Sequence, residues 1–548
     1  MFVMLGHDAV AQALVDNGVD TVFAVLGDGN LFIGENLSRQ HGVKLVSATH
    51  EANAVLMAQG WAKATGRMGV ATVTHGPGLT NTITALVEGT KNGTPILVVA
   101  GDTPVENEQH LQNLDQHALV AATGAGFQPV RNAETIAEDV ATAARRAHFE
   151  HRPIGLNVPL NIEWDDVEYR PHRTFTPPPL RLAPDPDQLD AALGLAASAL
   201  RPVILAGRGA VISDAREALV RLGDVLGAPL SASLLATGFF RGEPFDLGIH
   251  GTLTHPVAAE ALAAADCLIV FGAGLNYFTT ANQTMLTDKH VIHVDVDPAH
   301  IDRFVTVDAG VVGDAKVVAE AMTEMLLDAE HTPSGFRTSD LENKLREFDP
   351  IAAFDDKSYD GAVDPRTLTR HLDAGLPQHR QVVIDGGRFM FDALTLSVPE
   401  PQDFVISHAF GSIGLGTGTA IGAAVARPDR PTVFCVGDGG LMMGGLTELS
   451  TAVQLGLDLV VVVYNDNCYG AEHIQLVAKG LDPVASRHDW PDFCSVATSM
   501  GFDTAKIMSL DDVDAAMNVV ESRTAGTPVL IEALIDPDVV STIYQQLG

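Results

Sequence analysis

The sequence predicts an α/β protein built from three doubly wound parallel-sheet domains. Short aliphatic and β-branched runs recur along all 548 residues, separated by Ala-rich or polar helical stretches. Runs that are apolar throughout, rather than alternating, belong to strands buried on both faces, as in parallel sheets covered by helices. Two polar segments, Tyr169–Asp187 (proline-rich) and His331–Asp364 (rich in Asp, Glu and Ser), break the alternation and read as linkers. They leave blocks at 1–168, 188–330 and 361–548, consistent with about 100–200 residues per domain.

In the first block the strand candidates are Thr21–Leu26, Val43–Ala48, Val70–Thr74 and Ile96–Ala100. The middle block offers Pro202–Ala206, Cys267–Phe271 and Val291–Val296. The third offers VVID from 382, FVIS from 404, TVFCV from 432, LDLVVVVY from 457 and PVLIEA from 528. No short-period repeat is evident.

Composition excludes several classes. With 34 basic against 69 acidic side chains, the formal net charge is −35. Such a chain lacks the clustered positive charge that nucleic acid or an anionic membrane surface requires. Four scattered cysteines (Cys267, Cys435, Cys468, Cys494) make neither a disulfide framework nor a CxxC metal site, and suit a reducing compartment. The start has no basic n-region or cleavage site, and no apolar run reaches about 18 residues. The expectation is a soluble, cytoplasmic protein.

The chemistry concentrates in Val433–Gly470. A buried strand stops at Gly437-Asp438-Gly439-Gly440, a helical stretch with Glu448 follows, and a second strand ends at Asn465-Asp466-Asn467. Parallel strands present ligand sites at their carboxyl ends. Glycines let backbone amides approach phosphate oxygens, and Asp/Asn side chains supply the hard oxygens that Mg²⁺ takes beside a diphosphate. A plain βαβ unit with polar loops is the bland alternative. Taken together, GDG followed some two dozen residues later by the Asn-Asp pair resembles the thiamine-diphosphate-dependent enzymes. The resemblance spans nearly the whole chain and is greatest to the acetolactate synthase, benzaldehyde lyase and 2-oxo acid decarboxylase group.

That resemblance implies pyrimidine-binding, middle and diphosphate-binding domains in this order, with thiamine diphosphate and Mg²⁺ as cofactors. Anchored on Tyr469-Gly470, it assigns the metal to Asp438, Asp466 and the Cys468 carbonyl; spacing from Asp438 alone would instead select Asn465. Gly437, Gly439 and Gly440 join Asp438 on the cofactor side. The turn Phe410-Gly411-Ser412-Ile413-Gly414 adds Gly411 and Ser412, and Ile413 becomes the apolar wedge that bends the cofactor. Asp385, Gly386, Gly387 and Arg388, at the end of the VVID strand, are candidates for further diphosphate contacts.

Thr49-His50-Glu51-Ala52-Asn53 opens an Ala-rich helix. In isolation Glu51 is a carboxylate favoured by a helix N-terminus. By resemblance it is the essential acid that bonds the cofactor's pyrimidine ring and promotes loss of the thiazolium proton. In the family this acid acts across a subunit interface, which implies a homodimer or homotetramer with shared active sites. For substrate handling the candidates are Asp28 in Gly27-Asp28-Gly29-Asn30, Gln112 in His110-Leu111-Gln112, Glu472 after Tyr469-Gly470, and His75 before Gly76-Pro77-Gly78. His75 stands where the synthases carry a small residue, and its imidazole titrates near neutrality. Each has a loop-hydrogen-bonding alternative.

The chain also departs from the family. The arginines of the synthases' FAD-binding segment are absent from Phe271–Phe278, leaving FAD as a second cofactor without its usual contacts. Neither the synthases' tryptophan after the metal loop nor the adjacent histidines of the pyruvate decarboxylases are present. The expected function is a thiamine-diphosphate- and Mg²⁺-dependent C–C lyase or carboligase acting on a small carbonyl substrate, a 2-oxo acid or hydroxyketone. The alternatives are a 2-oxo acid decarboxylase releasing an aldehyde and a non-catalytic cofactor-binding homologue, against which intact Glu51 and Asp438 count. A dinucleotide-dependent oxidoreductase fails at Gly207-Arg208-Gly209, where the third glycine of the fingerprint is missing.

Overall fold

The computed structural model describes residues 2–104, 106–107, 109–174, 181–352, 354–541 and 544. Part of the first expected linker (175–180) and the end of the third block fall outside the described residues. Three six-stranded sheets account for the three blocks.

The first sheet runs in space Lys44–Ser47, Thr21–Ala24, Gly69–Val73, Ile96–Asp102, Ile154–Pro159, Gly126–Pro129, every pair parallel. The third runs Phe404–Ser407, Gln381–Asp385, Thr432–Gly437, Leu459–Asn465, Val529–Leu534, Asp503–Ile507. In chain order both read 2-1-3-4-6-5. The two domains are therefore a structural repeat that no residue pattern announces, since each fills the same slots with different apolar side chains. The middle sheet reads 3-2-1-4-5-6 and is parallel throughout. That is the order of dinucleotide-binding folds, which by itself assigns no ligand.

Sequence patterning overran several strand ends. Thr21–Leu26 stops at Ala24, and Val43–Ala48 shortens to Lys44–Ser47, because the following residues already turn toward the loops. Weakly apolar strands such as Gly126–Pro129 and Asp503–Ile507 carried no clear signal. The second expected linker contains a helix, Ser339–Glu347, capped by Thr338, whose hydroxyl accepts the Leu341 N–H at 3.1 Å.

Contacts divide the chain into two compact units. One joins residues 1–176, 357–393 and 405–540; the other comprises 177–356, 394–404 and 541–548. In the first unit one core cluster runs from Phe23, Val46 and Leu56 to Phe434, Val461 and Phe493, and a second lies around Leu14, Ile33 and Val140. The keystone of the first cluster is the crossing of two buried helices, Glu51–Thr65 and Gly416–Ala426. A Cβ on Gly60 would lie 1.9 Å from the Thr419 carbonyl oxygen, and one on Gly422 would lie 1.9 Å from that of Met57. Only glycine lets these backbones touch. The first helix starts at His50, whose Nδ1 accepts the Ala52 N–H at 3.1 Å, and ends at Gly66 with φ 70°.

Candidate active site

The third sheet sets Thr432–Gly437 beside Leu459–Asn465 with Gly437 opposite Tyr464. The loops that follow therefore lie side by side, bringing Asp438 and Asp466 together. Asp438 is 3% exposed, and its Oδ2 has no hydrogen-bond partner among the described residues. Burial pushes its carboxyl well above the ordinary range and the neighbouring Asp466 adds to this; the Gly439 N–H, the Trp490 side chain and Arg388 oppose it. A buried oxygen without a partner beside a second carboxylate suits a bound cation.

Asp466 accepts the Cys468 N–H on Oδ1 at 3.1 Å and Arg388 Nε on Oδ2 at 2.5 Å. Gly470 makes room for that pair, since a Cβ there would stand 2.6 Å from Asp466 Oδ2 and 2.7 Å from Arg388 Cδ. Asn465 turns away: its Nδ2 donates to Glu532 at 2.8 Å and its Oδ1 accepts the Asn467 N–H at 3.0 Å. Tyr469 lies against Gly439 and, with His488 and Trp490, forms an aromatic wall; the last two rings stack 4.4 Å apart. Residues 465–468, with Arg487 and His488, line a cavity of about 370 Å³.

On the opposite rim, Gly386 and Gly387 (φ 139°) follow strand Gln381–Asp385. Asp385, read from sequence with Gly386–Arg388 as a source of diphosphate contacts, is instead turned to the backbone, where it collects the N–H groups of Gly414 (2.8 Å), Leu415 (3.2 Å) and Gly416 (3.1 Å). Burial holds its carboxyl up at about 7 against those four backbone contacts, Gly386 included. The turn carrying half-buried Ile413 is thereby fixed, with Gly411 at φ 78° and the Ser412 hydroxyl donating to the Ile413 carbonyl at 3.2 Å.

In the first domain Glu51 is half-buried and accepts Asn81 Nδ2 at 2.9 Å. The same Gly76–Asn81 turn leads back to Thr74, whose hydroxyl oxygen accepts the Gly29 N–H at 3.0 Å, so Asp28 lies on this rim. His75 is fully buried, and its Nε2 has no partner among the described residues. Burial lowers its pKa, as does nearby His110, whereas Asp28 and Asp102 raise it. The rings of His75 and His110 lie 5.4 Å apart. The chain thus has a histidine pair in space that the sequence spacing concealed. Gln112 packs on Gly76, where the φ of 59° and the closeness of the Gln112 carbonyl (2.6 Å from a Cβ) both require glycine. A buried chain supports this turn: Gly76 N–H donates to Gln116, Gln116 to Asn157, and Asn157 to Asp102, at 2.8, 2.7 and 2.7 Å.

The two rims are tied by reciprocal buried glutamates. Glu448 accepts the Thr49 N–H at 3.1 Å and its hydroxyl at 2.8 Å, just before Glu51. Glu88 accepts the N–H groups of Ala409 (3.0 Å) and Phe410 (2.7 Å), just before the Ile413 turn. Asn53 Nδ2 adds a bond to the Gly444 carbonyl at 3.1 Å. Glu472, by contrast, stands exposed in the first turn of helix Gly470–Ala478. The Asp492–Cys494–Glu532 cluster has ligand-like spacing, but Lys506 Nζ already sits 3.0 and 3.1 Å from its two carboxylates.

Three family models match in order: the N-terminal thiamine pyrophosphate (TPP)-binding domain of thiamine pyrophosphate enzymes over residues 4–119, their central domain over 189–322, and their C-terminal TPP-binding domain over 385–533. The chain belongs to the thiamine pyrophosphate enzyme family. Among its relatives are the acetolactate synthase large subunit of Haemophilus influenzae, 27% identical over 93% of this chain and 91% of the relative. A probable acetolactate synthase large subunit of Methanocaldococcus jannaschii is 27% identical over 97% and 92%. The sulfoacetaldehyde acetyltransferase of Castellaniella defragrans is 29% identical over 97% and 96%. The thiamine-pyrophosphate-binding models coincide with the two domains that carry Glu51 and Asp438. Among the described residues no helix is long and apolar enough to cross a membrane.

Proposed function

We propose that this thiamine-diphosphate-dependent enzyme uses Mg²⁺ to break or join a C–C bond beside a carbonyl, acting on 2-oxo acids or hydroxyketones in the manner of an acetolactate-synthase-like carboligase or lyase. The observation that carries the reading is the orphaned Oδ2 of buried Asp438 beside the Asp466 carboxylate, in a glycine frame at two adjacent strand ends. The bound cofactor would supply a carbanion for addition to the substrate carbonyl and a ring that takes up the electrons released.

The chain's own residues have separable tasks. Asp438, Asp466 and the Cys468 carbonyl would hold the cation, while Gly437, Gly439, Gly440, Gly386, Gly387, Tyr469 and Gly470 shape the diphosphate floor. Ile413, set by the Asp385 clamp, presents the apolar wedge. Glu51, held by Asn81, would keep a hydrogen bond on the pyrimidine ring nitrogen. His75, whose burial lowers its pKa and whose Nε2 has no partner among the described residues, would serve proton transfer from within this turn, with Asp28, Gln112 and His110 near it. Glu472 would reach the site from its exposed helix end. Sharing of the site between subunits of a cytoplasmic homodimer or homotetramer belongs to the same proposal, and FAD is not part of it.

A decarboxylase releasing an aldehyde is the second reading, and the His75–His110 pair favours it because an aldehyde product needs a proton delivered to carbon. Product NMR distinguishes the two. Protein reconstituted with thiamine diphosphate and Mg²⁺ is incubated with pyruvate, longer 2-oxo acids and benzoin-type hydroxyketones. A hydroxyketone product supports the carboligase, and a lone aldehyde supports a decarboxylase or lyase. Cofactor retention without consumption of any carbonyl compound would overturn both in favour of a non-catalytic homologue.

A further inference from the structure

Arg388 is the most constrained cation in the neighbourhood of the candidate metal loop. Its side chain is 6% exposed, and each guanidinium nitrogen is engaged: Nε with Asp466 Oδ2 at 2.5 Å, Nη1 with the Val539 carbonyl at 2.7 Å and Nη2 with the Asp536 carbonyl at 2.8 Å. Gly470 is cut away to admit it. Asp466 meanwhile places a second carboxylate beside Asp438, both at or below 9% exposure. Two like charges in a buried site repel strongly, and a guanidinium bonded to one of them is the usual structural remedy. Arg388 therefore faces the carboxylate, not open solvent.

We propose that Arg388 is a built-in counter-cation which makes divalent-metal binding at Asp438–Asp466 conditional on a diphosphate. The inference rests on the reading of these two aspartates as the metal ligands. With Arg388 bonded to it, the Asp466 carboxylate is already compensated, so the pair holds a divalent ion weakly. An arriving diphosphate restores the anionic excess, so metal and diphosphate enter as a coupled pair. The arrangement also explains how the loop accommodates an aspartate: its extra charge is cancelled from behind, and its remaining lone pairs stay available to the ion.

The test is a Mn²⁺ titration of the full chain by electron paramagnetic resonance, with and without inorganic pyrophosphate. In the unaltered protein pyrophosphate should tighten Mn²⁺ binding by about tenfold or more, the scale of one neighbouring charge in a buried site. Arg388→Gln should bind Mn²⁺ alone about tenfold tighter and lose most of the pyrophosphate effect. Asp466→Asn, which leaves the Arg388 bonds to residues 536 and 539 intact, should bind Mn²⁺ about tenfold more weakly, because an uncancelled guanidinium then faces Asp438. The double variant should return close to the starting affinity. Unchanged binding in Asp466→Asn, or unchanged or weaker binding in a folded Arg388→Gln, overturns the proposal. Asp438→Ala separates the two layers of argument: Mn²⁺ binding that survives it defeats the metal-site reading itself.

Discussion

Glu163 offers a sharp test of the electrostatics of the first domain. It ends the short helix Leu160–Glu163, is 0% exposed, and neither carboxyl oxygen has a partner among the described residues. Burial pushes its carboxyl from 4.5 up to about 8, and the neighbouring charge of Asp28 contributes. Between those two values the folded protein holds a proton that the unfolded chain releases. Stability from this group is therefore complete below about 4.5 and is lost as pH rises toward 8. The slope is about 1.4 kcal/mol per pH unit, or about 5 kcal/mol across the window as an upper figure. Glu163→Gln copies the protonated shape and does not titrate. Its thermal midpoint should gain on that of the unaltered protein steadily from pH 5 to 8 and level off above, at about 2–4 °C per kcal/mol for a unit of domain size. Paired calorimetric scans at each pH measure the gap. A gap that stays constant, or widens toward acid, refutes the argument. Asp28→Asn should move the upper end of the window below 8, because it removes the second cause.

Other expectations follow from single contacts. Glu51→Gln should retain thiamine diphosphate through desalting yet lose about 10²–10⁴ of its turnover, as measured by substrate consumption; normal turnover would defeat the acid assignment. Asp438→Ala should lose cofactor retention in the same desalting assay. Glu448→Ala should lower kcat with cofactor still bound, because the Thr49 backbone that leads into Glu51 loses its anchor. Gly60→Ala should cost about 3 kcal/mol or prevent folding, since the new Cβ meets a helix backbone 1.9 Å away. Gly194→Ala, on an open face of helix Pro186–Ser198, should instead stabilise by about 0.5–1 kcal/mol in denaturant unfolding.

Much of the candidate site could be proposed from sequence because its patterns are local. Strand-ending glycines, Asp438 placed 28 positions before Asp466, and Glu51 at a helix start are short-range patterns, and the buried strands carry their class in their own composition. The reading faltered where function depends on contacts between distant segments. Glu88 and Glu448 looked like ordinary helix acids, although they anchor loops 321 and 399 residues away. His110 looked isolated until the fold set it beside His75, and Arg388 looked like a diphosphate contact until it was found buried against Asp466. No spacing rule reports such pairs, because the chain reaches them only after whole sheets have packed. The sequence by itself determined the three α/β domains, the family and the polar residues available to the chemistry. Tertiary structure alone decided which of them meet, which carboxylates are buried with a counter-charge and which without, and hence their protonation, since desolvation depends on what surrounds a group in space.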